Sequence, residues 1–339
     1  MTLAGLFAIL LAAASPFAPA AAGQDNSHHG DCSPAHGHRD PALAVPGVPF
    51  VSLVTAPRRT DTATIVDAVS ESRYAAFLSD TVAAFSSRYT LGSNFQSVST
   101  WVRDRFVQAG APSVELDPYS YSGKTYYNVV ASFPGTAGDG RFVLVGAHYD
   151  STSEMPTTKA PGANDNASGT AALLELASVL RDYSLPHGVR LVAFSGEEQG
   201  MKGSGAYVSD LLAAGDGDNM VAAVIMDMLS YDEGGAPSVL LESSSAFQSL
   251  LSQVGNIAAS YTGLEVRTSQ SPFGSDHMPF IQNGLPSLLL IENDWDSYPY
   301  YHSSNDALTE QDMATGTEIT RLAAAALVDL AATSTVQAE

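Results

Sequence analysis

Six stretches of the chain are apolar almost without interruption: TYYNVVASF, RFVLVGAH, VRLVAFSG, VAAVIMDM, SVLLES and PSLLLIEN. A strand with one wet face alternates apolar and polar positions. Near-continuous runs of this length predict strands covered on both faces. Between them, helical periodicity predicts helices over Ala167 to Tyr183, Met201 to Ala213, Phe247 to Tyr261 and Glu310 to Ala332. Upstream, helical patterning begins near Thr62. It resumes in NFQSVSTWVRDRFVQ, where Val98, Trp101, Val102 and Phe106 share one face before Gly110 stops the helix. Strands interleaved with helices predict an α/β fold: a mainly parallel central sheet with helices on both faces, forming one catalytic domain over residues 61–335.

In such sheets a ligand site lies beyond the carboxyl ends of the strands. RFVLVGA ends in His148-Tyr149-Asp150, VRLVAFSG in Glu197-Glu198, and VAAVIM in Asp227. PSLLLIEN leads into NDWDSYPYYHSSND, which carries His302, and the loop PGANDNASG delivers Asp165 just ahead of a helix. Alone, each is ordinary: a strand-end histidine, a solvated acidic pair, a helix-capping aspartate. Together they predict one convergent edge.

Two histidines with several carboxylates and no cysteine nearby make a mixed nitrogen and oxygen ligand set. Zinc suits it best, with cobalt or manganese as substitutes. There are more candidate ligands than one tetrahedral zinc needs. That predicts two zinc ions roughly 3.5–4 Å apart sharing a carboxylate, a design for hydrolysis. A spare carboxylate beside them would act as general base. The chain carries neither G-x-S-x-G nor H-E-x-x-H, which disfavours those hydrolase classes. Ser275-Asp276-His277 does not make a triad by adjacency, since triad members meet through folding.

Composition narrows the partners. A formal net charge of −21 over 339 residues argues against nucleic acid or an anionic membrane surface as partner. The first 22 residues lack charged side chains and end in A-x-A-like sites, which predicts a signal peptide over 1–22 and a secreted or periplasmic protein. The run is too short and too Pro-broken to span a membrane. Residues 23–60 read as a His/Pro-rich linker or short pro-segment, containing His28, His29, His36, His38 and the single cysteine, Cys32. One cysteine rules out a disulfide within the chain.

VGAHYDS, APGANDNASGTAALLELA, LVAFSGEEQGMKGSGAYV, VIMDM, GSDHMPF and YYHSSNDALT occur in this order. They resemble the di-zinc aminopeptidases related to bacterial leucyl aminopeptidase, metallopeptidase family twenty-eight, from about Arg88 to the C-terminal helix. The resemblance implies a zinc-dependent exopeptidase fold. It implies that Asp165 bridges two zinc ions, that His148 and Asp227 complete one site, and that Glu198 and His302 complete the other. Glu197 would then be the general base, His277 a candidate to stabilise the oxyanion, and Asp150 the group orienting His148. A cis peptide after Asp165 is implied as well.

The activity implied is hydrolysis of the N-terminal residue from peptides with a free N-terminus, by a monomer. Met228, Phe273, Trp295, Tyr298, Tyr300 and Tyr301 are candidates for a pocket favouring large apolar first residues. Relatives also include carboxypeptidases, glutaminyl cyclases and non-catalytic ectodomains, which stand as the alternatives.

Overall fold

The computed structural model describes residues 60–332. The expected signal peptide and the His/Pro-rich stretch up to residue 59 lie outside the described residues. Eight strands form one sheet in the order β1-β2-β4-β3-β5-β8-β6-β7. Its centre is β4 (Gly188–Phe194), β3 (Phe142–His148), β5 (Met220–Asp227) and β8 (Ser287–Glu292), all mutually parallel. Each matches a predicted run.

The apolar runs are continuous because both faces are covered. Val143, Val145 and Ala147 of β3 join a core with Leu191 and Ala193 of β4 and Val224 and Met226 of β5. The alternate residues Leu144, Val192, Phe194 and Ile225 join a second core on the other face. The first core is closed by α3 (Phe95–Ala109), α4 (Ser168–Leu180), α6 (Gln248–Tyr261) and α8 (Met313–Ala332). The second is closed by α5 (Lys202–Ala213) and the short α7 (Met278–Gln282). Helix α3 ends, as its sequence predicts, at Gly110, whose φ of 100° is the left-handed C-terminal conformation.

Some elements depart from the sequence reading. The patterning near Thr62 forms two helices, α1 (Thr60–Asp67) and α2 (Glu71–Ala84). Ser70 separates them, and its hydroxyl accepts the Arg73 N–H. TYYNVVASF is part of β2 (Lys124–Phe133), which runs antiparallel to β4 and pairs with an unpredicted edge strand, β1 (Ser113–Tyr121). At the other edge β6 (Ser238–Glu242) is antiparallel to β8 and pairs with β7 (Glu265–Ser269), also unpredicted. Among the described residues, no helix is long and apolar enough to cross a membrane.

Candidate metal centre

Because β3, β4, β5 and β8 are parallel, their carboxyl ends open on one edge. His148 is the last residue of β3, level with Phe194 at the end of β4, so the turn after β4 places Glu197 and Glu198 beside it. Asp227 ends β5. Asp165 lies in a tight turn, residues 163–167, that feeds α4, and its peptide bond to Asn166 is cis. His302 comes from the loop after β8 and has a φ of 52°, a left-handed conformation that costs free energy for a residue other than glycine.

The Asp165 carboxylate stands between the two imidazoles. Its Oδ1 is 3.2 Å from His148 Nε2, and its Oδ2 is 3.2 Å from His302 Nε2. His148 Nε2 is also 3.2 Å from Asp227 Oδ1, and His302 Nε2 is 3.0 Å from Glu198 Oε2. Two half-sites therefore share one carboxylate. His148, Asp165 and Asp227 are buried, whereas the His302 side chain is 41% exposed, so solvent reaches the cluster from its side.

The surroundings fix these groups. His148 Nδ1 lies 3.2 Å from the Asp150 carbonyl oxygen and 3.5 Å from its Oδ1, which leaves Nε2 facing the cluster. Asp150 is held in turn by the Thr90 hydroxyl at 2.7 Å and accepts the Glu197 N–H at 3.3 Å. The Ser275 hydroxyl donates to Asp227 Oδ2 at 2.7 Å. Asn166 caps α4 by accepting the Gly169 N–H at 2.8 Å, so Asp165 is spared that duty. Glu154 accepts both the N–H and the hydroxyl of Ser304, at 2.8 and 2.6 Å, and pins the loop that carries His302.

The electrostatics call for positive charge. Burial opposes charging His148, yet Asp227, Asp150 and Asp165 raise its pKa well above the ordinary value. Burial likewise opposes charge on His302, and Glu198 and Asp165 lift it to about 11. Burial pushes Asp165 upward, but its contacts with both histidines outweigh that and hold it below the usual carboxylate range. Burial raises Glu198 to about 7, with repulsion from Asp165 adding to the rise. Glu197 is driven well above its ordinary value, mainly by burial, with His148 opposing and Glu198 reinforcing.

The donor set fits a divalent cation. Ligand atoms about 2.0–2.1 Å from a tetrahedral zinc stand roughly 3.3 Å from one another. The observed separations of 3.0–3.2 Å are close to that spacing. Ligand atoms of His148, Asp165 and Glu198 lie within 4.8 Å of one another. Glu198 Oε1 is buried without a hydrogen-bond partner, an acceptor left for a cation to satisfy.

Beside the cluster is a narrow cavity. Asp165, Glu197, Asp227 and His302 line one end, and Met228, Phe273, Trp295 and Tyr301 line the rest together with Leu240, Leu289 and Ile291. Tyr298 and Tyr300 do not line it. Tyr298 is buried with its hydroxyl donating to Asp306, and Tyr300 packs edge-on against it.

The structure does not place His277 among the cavity-lining residues. Its ring is fully buried, with Nε2 3.4 Å from Glu242 Oε1. Ser275 does not cap α7, because its hydroxyl is committed to Asp227. His187, which reads as an exposed loop residue, is buried with Nδ1 3.0 Å from Asp139 Oδ2. A wider groove, lined by Phe133, Arg141, Phe142 and Arg190, lies at the opposite edge of the sheet and holds none of the predicted residues. Sequence reasoning missed Asp306, Glu154 and Glu242. Of these only Asp306, in the same SSND stretch that follows His302, carried any signal.

The chain is 28% identical over 248 residues to a probable leucine aminopeptidase of Trichophyton verrucosum, a match covering 69% of this chain and 64% of that protein. The aminopeptidase LapA of Legionella pneumophila superposes with a TM-score of 0.73 at 19% identity, over 85% of this chain and 78% of that one, a likeness of fold. A zinc aminopeptidase from Bacillus subtilis, BSAP, is 26% identical with a TM-score of 0.54, over 62% of this chain and 51% of its own. The profile of Peptidase family M28 matches residues 128–327, from β2 through most of α8 and across the whole carboxylate and histidine cluster, and the chain belongs to that family.

Proposed function

We propose that this protein is a metallo-aminopeptidase that binds two zinc ions and removes the first residue of peptides with a free N-terminus. The observation that carries the reading is the Asp165 carboxylate, whose two oxygens face different histidines at 3.2 Å each. In this assignment His148 and Asp227 would hold one zinc and Glu198 and His302 the other, with Asp165 as the ligand common to both. The family membership and the zinc aminopeptidase among its structural relatives support the choice of metal and reaction. Bound zinc would supply Lewis acidity toward the scissile carbonyl and acidify water.

The chain's own residues do the rest. Glu197 lines the cavity without being one of the five ligands. It takes the proton from the attacking water and returns it to the departing amine. The α-amine of the substrate lies at this end of the cavity, beside Asp165, Glu197 and Asp227. The apolar wall formed by Leu240, Leu289, Ile291 and Trp295 accommodates a large first side chain. The uncharged stretch 1–22 supports export.

The test combines metal counting with a substrate panel. Fully active protein should contain two zinc ions, hydrolyse aminoacyl-nitroanilides, ignore carboxy-terminal substrates, and lose activity to a chelator until zinc or cobalt is restored. One zinc with cyclisation of N-terminal glutamine, or cleavage only at the C-terminus, would overturn the assignment.

A further inference from the structure

The far end of the cavity is not apolar. Glu242 lines it, at the end of β6, and the residue is fully buried. Its Oε1 accepts the Phe273 N–H at 2.9 Å. Among the described residues its Oε2 has no hydrogen-bond partner, and His277, 3.4 Å from Oε1, makes no hydrogen bond to either oxygen. A buried carboxylate oxygen left unpaired is costly, and such a group in a cleft wall calls for a donor from a ligand.

The sheet register fixes how far that donor must reach. Asp227 is level with Ile291, and Glu242 is level with Leu289, two residues further from the carboxyl edge. Glu242 is thus two strands across from Asp227 and two residues deeper, about 12 Å between Cα atoms at ordinary strand spacings. Leu240, Leu289 and Ile291 line the cavity between them. A leucine side chain seated beside the metal cluster ends against these residues and leaves Glu242 unsatisfied. A longer side chain with an apolar stem and a cationic head matches both parts, the stem along the three aliphatic residues and the head on Oε2.

Resting on the aminopeptidase reading, we infer that Glu242 is the specificity-determining residue of this pocket and selects peptides that begin with lysine or arginine. The α-amine and the scissile carbonyl lie at the Asp165, Glu197 and Asp227 end. The side-chain cation forms a desolvated, charge-assisted pair with Glu242 at the other.

The experiment compares kcat/KM of the zinc-loaded protein for lysyl-, arginyl-, leucyl- and norleucyl-nitroanilide, norleucine being the lysine stem without its head. The lysyl or arginyl substrate should exceed the norleucyl one by at least about tenfold, the increment of one hydrogen bond between charged groups. In Glu242→Gln and Glu242→Leu that ratio should collapse, and Glu242→Leu should favour norleucine. Where a variant does not fold, inhibition of the parent protein by lysine hydroxamate against norleucine hydroxamate reads the same preference. Equal rates on lysine and norleucine would overturn the inference. So would a lysine preference that survives Glu242→Leu. Failure to cleave any aminoacyl substrate with two zinc ions bound would instead refute the aminopeptidase reading.

Discussion

Asp306 holds Asp165 by its main chain, not its side chain. Its Oδ2 accepts the Asp165 N–H at 3.0 Å, while Oδ1 accepts the Asn164 N–H at 2.8 Å and the Tyr298 hydroxyl at 2.7 Å. One buried carboxylate from the loop after β8 therefore fixes the turn that aims the shared ligand, and it lies four residues beyond His302.

Asp306→Asn replaces one acceptor oxygen with an amide donor facing a main-chain N–H or a hydroxyl. The first-sphere groups remain, but the turn that presents them loosens. Zinc affinity should fall by about 10–100-fold, the usual effect of removing an outer partner of a metal ligand. Competition against a chromophoric chelator measures it. Affinity equal to that of the parent protein would show that the turn is held by other contacts.

Much of this site was legible because chemistry at strand ends is a local signal. His148, Asp227 and the Glu197-Glu198 pair each terminate an apolar run, and a parallel sheet brings such termini to one edge. The edge strands were harder. β1 (SVELDPYSY) and β7 (EVRTS) are polar and half-exposed, and Pro118 within β1 reads as a break. Tyr298 and His277 were misjudged for one reason. Aromatic and imidazole side chains close to a ligand in sequence can point into the core, and only the packing decides which do. Glu242 also ends an apolar run, SVLLES, but β6 is antiparallel to β8, so its end does not fall at the edge where the other termini meet, and the sequence does not show that direction.

Arg88 is fully buried yet has no carboxylate partner within salt-bridge distance among the described residues. Its guanidinium donates to the carbonyl oxygens of Tyr149, Pro161 and Gly162 at 2.8, 2.6 and 2.8 Å, binding both ends of the loop between His148 and Asp165. Arg88→Leu leaves the Tyr149 and Pro161 carbonyls unpaired, at about 1–3 kcal/mol each, while Gly162 keeps the Ala167 N–H at 2.9 Å. The loss of stability should reach roughly 2 kcal/mol or more, read from urea denaturation with zinc present. A loss under about 1 kcal/mol would mean that water replaces the guanidinium.

Chelation should destabilise the fold as well as inactivate it. Without a cation, four carboxylates of Asp165, Glu197, Glu198 and Asp227 crowd two imidazoles at a largely buried edge. Zinc at about one hundred times its dissociation constant contributes about 2.7 kcal/mol by mass action. For a domain of this size that corresponds to roughly 5–10 °C in Tm. Thermal denaturation with and without chelator, followed by zinc readdition, checks it. An unchanged Tm would argue against a site formed from these residues.

Glu197 and Glu198 are adjacent in the chain but face different tasks. Glu198 Oε2 lies 3.0 Å from His302 Nε2, inside one half-site, whereas Glu197 is anchored to Asp150 through its main-chain N–H. The turn between β4 and α5 thus leaves the Glu197 side chain free to line the cavity. If Glu198 is a ligand and Glu197 the base, the two substitutions separate two readouts. Glu197→Gln keeps shape and metal but cannot accept a proton, so zinc content should stay at two while kcat falls by about 10²–10⁴-fold. Glu198→Ala removes a ligand, so zinc content should drop, and added zinc should recover part of the activity because Glu197 is intact. Zinc titration followed by steady-state kinetics on both variants distinguishes the roles. Loss of zinc from Glu197→Gln, with Glu198→Ala fully loaded but inactive, would exchange the two assignments. Near-native kcat in both would remove this pair from the mechanism.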